Sequence, residues 1–272
     1  MTNTLAGMSE YVNVASTGPS AAFFDLDRTL IAGSSVFALA AAARAQKLLP
    51  TRELARDALG AAAFKVVGAA KDGAADRARE RILGFTRGVR QDDLVALNEQ
   101  VLPSLLGKIR PEARRLVDLH RHAGRGTYIV SAAPEEIVGP LATALGMTGG
   151  IGTKGEVVDG VYTGELAGPF CYGAGKVEAI EEIARWDGLD LAQCYAYSDS
   201  HSDLPMLTAV GHPVAVNPDK ELERHARIHG WPIVIFSQRT KTVIRRTAAG
   251  LVTSGLAAGG FAAGLEVGKR RR

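Results

Sequence analysis

A short apolar run that ends in two carboxylates limits the choice of fold for this chain. Residues 21–24 read Ala-Ala-Phe-Phe, and Asp25, Leu26 and Asp27 follow directly. Such a run, bounded by polar residues, is typical of a strand that is buried on both faces of a parallel sheet. We therefore predict an α/β fold whose first strand brings Asp25 and Asp27 to one edge of the sheet.

Strand-like and helix-like segments alternate after this run. The predicted strands are residues 127–130, 194–197, 213–216 and 233–236, and the predicted helices are residues 36–48, 52–67, 111–122, 176–186 and 205–210. Alternation over the second half of the chain predicts a mostly parallel sheet with helices on both faces. An Asp-Gly pair at 159–160, between β-forming residues, predicts a hairpin that interrupts it.

The same patterns divide the chain into parts. Between residues 34 and 110 there is no strand pattern, and Ala-rich segments carry apolar residues at helical spacing. We predict an α-helical insert there, called the cap, within a catalytic core formed by residues 21–33 and 111–238. Residues 1–20 lack the basic and apolar regions of a secretory signal and predict a flexible leader. Residues 239–272 form a separate tail.

The composition argues against several other classes of protein. Hydrophobic residues make up 46% and charged residues 22% of the chain, which fits a folded domain and not a disordered one. Basic residues are not interleaved with aromatic ones, so we expect no nucleic-acid partner. Two cysteines, Cys171 and Cys194, give no disulfide framework and are typical of core positions in a cytoplasmic protein.

Carboxylates follow two of the predicted strands. Asp25 and Asp27 follow the first strand, and Asp199 and Asp203 follow the strand at 194–197. The carboxyl ends of parallel strands share one edge of a sheet, where grouped carboxylates need a cation, raised pKa values or open solvent. Mg²⁺ prefers one or two carboxylates together with water and phosphate oxygens, which favours Asp25 and Asp199 as its ligands.

The pair Asp25 and Asp27 permits two roles in phosphate-ester chemistry. One carboxylate can attack phosphorus to form an aspartyl phosphate, while the other protonates the departing oxygen and later activates water. Ser131 follows the predicted strand at 127–130, and Lys176 follows a Gly-Ala-Gly turn. Both residues can hold phosphate oxygens.

These motifs, in this order, resemble those of the haloacid dehalogenase (HAD) superfamily of phosphatases, in particular subfamily IB, the phosphoserine-phosphatase-like branch. Residues 25–29 resemble the first motif, Ser131 the second, Lys176 the third and residues 198–203 the fourth. Residues 157–166 are similar to a segment typical of the branch. The resemblance implies a HAD-like Rossmannoid parallel sheet flanked by helices, with a helical cap inserted after the first strand.

The resemblance also implies roles in catalysis. By this resemblance Asp25 is the nucleophile and Asp27 is the general acid and base. Ser131 and Lys176 bind the phosphate group of a small phosphorylated substrate.

A metal site is implied in the same way. By this resemblance Mg²⁺ is held by Asp25, the main-chain carbonyl of Asp27 and Asp199. Asp203 supports the metal shell or the lysine, and Thr29 shapes the loop after the first strand.

Departures from the branch leave the substrate open. The fourth motif reads Ser-Asp-Ser at 198–200, whereas phosphoserine phosphatases usually carry Gly-Asp-Gly there. Those enzymes also carry a glutamate early in the cap that binds the substrate amine, but here no acidic residue lies between Thr29 and Ala45. We expect a Mg²⁺-dependent phosphomonoester hydrolase for a small organic or lipid-linked phosphate. The alternatives are a phosphoserine phosphatase, a phosphotransferase, or a non-catalytic membrane-attached interaction protein. The oligomeric state is not readable from the sequence.

The tail combines an uncharged stretch with basic flanks. Residues 247–265 carry no charge, whereas residues 245–246 and 269–272 are all Arg or Lys. The stretch approaches the ~20 residues that span a bilayer, but five glycines dilute it. Basic flanks favour anionic lipid surfaces. We predict a helix that associates a cytoplasmic enzyme with the inner face of the membrane.

Removal of the tail tests this prediction. We expect deletion of residues 247–272 to move the protein from the membrane pellet to the supernatant, because both the apolar stretch and the basic cluster are lost. Cell fractionation of the full and truncated chains measures the change. An unchanged distribution would show that the tail does not attach the protein.

Overall fold

A parallel sheet forms the centre of the protein in the computed structural model, which describes residues 2–3, 11–12, 18–46, 48 and 73–236. In chain order the strands are β1 (Thr2–Asn3), β2 (Ala21–Phe24), β3 (Gly126–Pro134), β4 (Gly149–Thr153), β5 (Gly155–Val158), β6 (Val161–Leu166), β7 (Tyr195–Ser198), β8 (His212–Val216) and β9 (Ile233–Val234). Seven strands pair in the order β1-β9-β8-β7-β2-β3-β4, and every neighbouring pair is parallel.

Helices connect the strands of this sheet. The α-helices of the described chain are α1 (Ser35–Ala45), α2 (Ala74–Thr86), α3 (Gln91–Ala96), α4 (Asn98–Leu106), α5 (Pro111–His122), α6 (Glu135–Ala144), α7 (Ala174–Asp187), α8 (Leu204–Thr208) and α9 (Lys220–Ile228). Short 3-10 turns lie at Leu191–Gln193 and His201–Asp203. Parallel strands joined by helices confirm the predicted α/β class.

The central strand β2 is buried on both faces, as its apolar sequence predicts. It lies between β3 and β7. Phe23 packs in the core cluster with Ile180 of α7, while Phe24 on the opposite face stacks on Tyr197 with ring centroids 4.6 Å apart. Since both faces are filled with apolar side chains, polar chemistry on β2 is confined to the end of the strand.

The predicted hairpin is present as β5 and β6, which are antiparallel. Asp159 and Gly160 connect the two strands with φ values of 51° and 76°. Positive φ at both central residues is what a tight two-residue hairpin turn requires, and the Asp-Gly pair supplies it with little strain.

The structure differs from the prediction around β3. The strand continues to Pro134, with a shift in its register against β4 between Val130 and Pro134, so Ser131 lies within the strand and not after it. Helix α6 and strand β4 were not predicted. Gly139 and Pro140 interrupt the helical pattern, and the Gly-Gly-Ile-Gly sequence of β4 carries little β-forming signal.

The predicted leader has partners in the core where the structure describes it. Residues Thr2–Asn3 form β1, parallel to β9. Val12 is fully buried, and its carbonyl oxygen accepts a hydrogen bond of 2.6 Å from the guanidinium of Arg125. Because these contacts join residues far apart in the sequence, no local pattern in residues 1–20 predicts them.

Other predicted segments are described only in part. Within the predicted cap, residues 34–110, the structure describes helices α1 to α4, and the boundaries of the cap remain a prediction. The predicted helix at 52–67 and the uncharged stretch at 247–265 lie outside the described residues. In the described part of the chain, no helix has both the length and the apolar character needed to cross a bilayer.

Substitution of two glycines by alanine tests how closely α6 packs on β4. We expect Gly152→Ala to lower the free energy of unfolding by roughly 1–3 kcal/mol, because a Cβ there would lie 2.6 Å from the Ala133 carbonyl oxygen and from the backbone of Glu135. Gly139→Ala is the matched control. It lies within α6 with open space around its Cβ position, so we expect a gain of up to about 1 kcal/mol.

Urea unfolding of the three proteins measures both changes. Equal stability of Gly152→Ala and the wild type would contradict the close approach of the two backbones.

Candidate functional site

The centre of the candidate site is a buried lysine between two carboxylates. Lys176 Nζ lies 2.6 Å from Asp25 Oδ1 and 2.7 Å from Asp203 Oδ2. The Ser198 hydroxyl donates to the same oxygen of Asp203 at 2.7 Å. The side chains of Lys176, Asp25 and Asp203 are only 3%, 12% and 4% exposed, so water screens these interactions weakly.

Three elements bring these groups together. Asp25 directly follows β2, and its backbone N–H donates to the Tyr197 carbonyl oxygen of neighbouring β7 at 2.9 Å. Asp203 follows β7 in a 3-10 turn, and Lys176 lies in the first turn of α7. Glycine is required just before this lysine, since a Cβ at Gly175 would lie 1.8 Å from the Phe170 carbonyl oxygen.

Burial and charge act on this network in opposite directions. Burial raises the pKa of Asp25, attraction to Lys176 lowers it, and repulsion from Asp203 and Asp199 raises it further. The net pKa of Asp25 lies above its ordinary range. Burial lowers the pKa of Lys176, but attraction to Asp203 and Asp25 outweighs it, so the pKa of the lysine is raised and its side chain stays charged.

A third carboxylate, Asp199, pairs with a different cation. Its Oδ2 lies 2.7 Å from the guanidinium of Arg28, and the Thr29 hydroxyl donates to its Oδ1 at 3.5 Å. Burial raises the pKa of Asp199 to about 6, with attraction to Arg28 opposing and repulsion from Asp203 and Asp219 adding to the shift. Repulsion from Asp199 is also one of the causes that raise the pKa of Asp25.

A further carboxylate, Asp27, accepts hydrogen bonds from neutral donors within the described residues. Its Oδ2 accepts from the Ser34 hydroxyl at 2.6 Å, and its Oδ1 accepts from the Ser35 backbone N–H at 2.7 Å. Ser35 is the first residue of α1. Asp27 is therefore fixed by the start of the first helix of the predicted cap.

Ser131 lies on β3, next to β2, two residues beyond the partner of Phe24 in the sheet. It is 4% exposed, and its hydroxyl oxygen accepts from the Ala133 N–H at 3.2 Å. Its position is near the carboxyl end of the central strand, as predicted, and its role in phosphate binding remains a prediction.

Several residues of the site were given no role by the sequence reasoning. They are Arg28, Ser34, Ser35, Ser198 and Asp219. Serines ahead of an Ala-rich helical pattern are a start signal for a helix, so Ser34 and Ser35 could have been found. Asp219 caps α9 and its N–H donates to the Asp199 carbonyl oxygen at 2.8 Å, a contact between distant residues that no local pattern indicates.

The donor set fits a hard divalent cation. Asp25 and Asp199 are carboxylates at the ends of adjacent strands, and the pKa of each is raised by burial and by other carboxylates, so a cation would stabilise both in ionised form. Within the described ranges, no three His, Cys, Asp or Glu side chains converge on a common metal position. Two carboxylates with a carbonyl oxygen and water suit Mg²⁺ better than a metal that needs a full set of side chains.

The buried lysine should contribute strongly to stability. We expect Lys176→Met to lower the free energy of unfolding by about 3–5 kcal/mol, since two buried carboxylates lose their cation. Lys154→Met is the control. Its ion pair with Glu135 is exposed and spans 3.5 Å, so its loss should cost at most about 1 kcal/mol. Urea unfolding in the presence of EDTA measures both, and equal losses would contradict the central role of Lys176.

The chain has relatives of known name and structure. The sequence model of the haloacid dehalogenase-like hydrolases matches residues 22–208. A probable phosphatase of Mycobacterium tuberculosis is 44% identical over 224 residues, which are 80% of this chain and 76% of the relative. A phosphoserine phosphatase of the same organism is 36% identical over 254 residues, 93% and 81% of the two chains.

Known structures agree with this assignment. A Bordetella pertussis protein of unknown function superposes with a TM-score of 0.68 at 29% identity, over 80% of this chain and 99% of the other. The predicted fold and enzyme class are confirmed, and the chain belongs to the haloacid dehalogenase-like hydrolase family.

Proposed function

We propose that this protein hydrolyses phosphate monoesters with Mg²⁺ through a phosphate adduct on Asp25. The observation that carries the proposal is the 2.6 Å ion pair between Lys176 and Asp25 at the end of the central strand. This pair fixes one oxygen of the carboxylate and favours its ionised form, which is the form that attacks phosphorus. Family membership and relatives named as phosphatases support the same reaction.

The remaining residues divide the other tasks. Asp25 forms a bond to phosphorus as the bond to the ester oxygen breaks, and Asp27 gives its proton to that oxygen. Asp27 then takes a proton from the water that attacks phosphorus, while the bond between phosphorus and the Asp25 oxygen breaks and inorganic phosphate is released. Ser131 binds phosphate oxygens. Lys176 does so too, because its ammonium group has three donors, of which two contact Asp25 and Asp203 within the described residues.

Mg²⁺ would be held by Asp25, the Asp27 carbonyl oxygen and Asp199, with Thr29 and Asp203 supporting these groups. When bound, it neutralises phosphate charge that would otherwise repel the attacking carboxylate. Within the chain, the positive guanidinium of Arg28 offsets the negative charge of Asp199.

The substrate we propose is a small organic or lipid-linked phosphate. Phosphoserine is the alternative favoured by the name of the 36% identical relative. The first turn of α1 carries no acidic side chain, and Val36 and Phe37 are 49% and 64% exposed there. An ammonium group next to this turn would meet apolar side chains, which favours a substrate without one.

Replacement of the nucleophile tests the reaction. We expect Asp25→Asn to release no measurable phosphate from phenyl phosphate, because an amide is a far weaker nucleophile than a carboxylate, and to keep the native circular dichroism spectrum. Asp159→Asn is the control. It makes the same chemical change in the exposed hairpin turn, where Asn tolerates the positive φ, and should keep full activity.

Further measurements separate the alternatives. EDTA should abolish activity of the wild type and Mg²⁺ should restore it, and mass spectrometry of quenched wild type should detect one added phosphoryl group that Asp25→Asn lacks. Full activity of Asp25→Asn would exclude the proposed nucleophile. Transfer of phosphate to added alcohols would indicate a phosphotransferase, and a wild type inactive towards phosphorylated metabolites and lipids would favour the non-catalytic alternative.

A further inference from the structure

The hydroxyl of Ser34 is used in an unusual way for its position. Ser34 is the N-cap residue of α1, with extended backbone angles of −120° and 140°. A serine at this position usually accepts a hydrogen bond from a backbone N–H of the first turn. Here its side chain makes no such bond, and it donates to Asp27 Oδ2 at 2.6 Å instead.

Asp27 thereby receives a donor on each oxygen. The Ser35 N–H binds Oδ1 at 2.7 Å, and the Ser34 hydroxyl binds Oδ2. The start of the helix adds a favourable dipole for negative charge at the same point. These contacts fix the carboxyl group of Asp27 from both oxygens in a partly buried location, where hydrogen bonds are screened weakly by water.

We propose that Ser34 is a positioning residue that promotes proton donation by Asp27 to the leaving group. The inference rests on the proposed function. As Asp25 bonds to phosphorus and the ester bond breaks, the electron pair of that bond stays on the leaving oxygen, which takes the proton of Asp27. Negative charge then develops on Asp27, where Ser34 donates to it. Donors placed in advance at a developing charge lower the barrier.

A purely structural role for the same contact has a different signature. If the Ser34–Asp27 bond only fixes the start of α1, its loss should affect all substrates to the same degree. If it promotes proton donation, its loss should matter most when the leaving oxygen is strongly basic. Dinitrophenolate leaves without a proton, whereas phenolate is far more basic and benefits from one.

The test compares kcat/KM for phenyl phosphate and dinitrophenyl phosphate in four full-length variants. This ratio reports the steps up to departure of the leaving group, so slow hydrolysis of the adduct does not obscure it. We expect the kcat/KM of Ser34→Ala to fall about 10-fold for phenyl phosphate and less than about 2-fold for dinitrophenyl phosphate. A general acid supplies about 10²–10⁴-fold in rate. Only part of this should be lost, because the Ser35 N–H still binds Asp27.

Two variants serve as controls for Ser34→Ala. Ser34→Thr keeps a hydroxyl on the same carbon and should restore activity on phenyl phosphate to near the wild-type value. Ser104→Ala removes an exposed hydroxyl in α4 and should change neither ratio.

Asp27→Asn, the fourth variant, separates the two proposals. Like Ser34→Ala, it should lose more activity on phenyl phosphate than on dinitrophenyl phosphate. Its loss on phenyl phosphate should be larger than that of Ser34→Ala. If it shows no preference, or if the wild type releases no phosphate, the proposed function fails and the inference with it. If Asp27→Asn behaves as expected while Ser34→Ala loses equally on both substrates, loses nothing, or is not rescued by threonine, only the role of Ser34 is overturned.

Discussion

The ion triad of Asp25, Lys176 and Asp203 is the interaction on which the site depends. Three charges removed from water carry a large desolvation cost, and only close, well-directed contacts offset it. The two contacts of the lysine, at 2.6 and 2.7 Å, supply such geometry. The ends of β2 and β7 and the start of α7 must therefore keep fixed relative positions. The site and the core of the fold are stabilised together.

The sheet order explains how distant residues meet in this triad. Because β2 lies beside β7 and both run in the same direction, their carboxyl ends bring Asp25 close to Asp199 and Asp203. The apolar packing of Phe23 and Phe24 on opposite faces holds β2 in register, so the polar residues that follow it emerge only at this edge. Hydrophobic burial thus determines where the charged groups are concentrated.

The sequence predicted the strand ends well and the side-chain partners poorly. An apolar run followed by Asp25 is a local pattern, and the rule for parallel sheets needs no further information to place it at the site. Arg28, which forms an ion pair with Asp199, has a left-handed backbone with φ of 62°, and its sequence neighbours indicate neither feature. Strand β4 was missed because its glycines are selected by close packing against α6, a tertiary constraint.

Three nearby carboxylates acquire different properties from their partners. Asp25 faces a buried ammonium group, Asp199 faces a guanidinium that is 60% exposed, and Asp27 accepts from neutral donors. A buried ammonium suits the proposed nucleophile, which has to be ionised and directed, and an exposed guanidinium would leave room for the proposed metal at Asp199. Neutral donors suit the proton exchange that we propose for Asp27, since among the described residues no ion pair has to break for it. The distribution of partners therefore fits the proposed division of tasks among residues that the sequence alone shows only as aspartates.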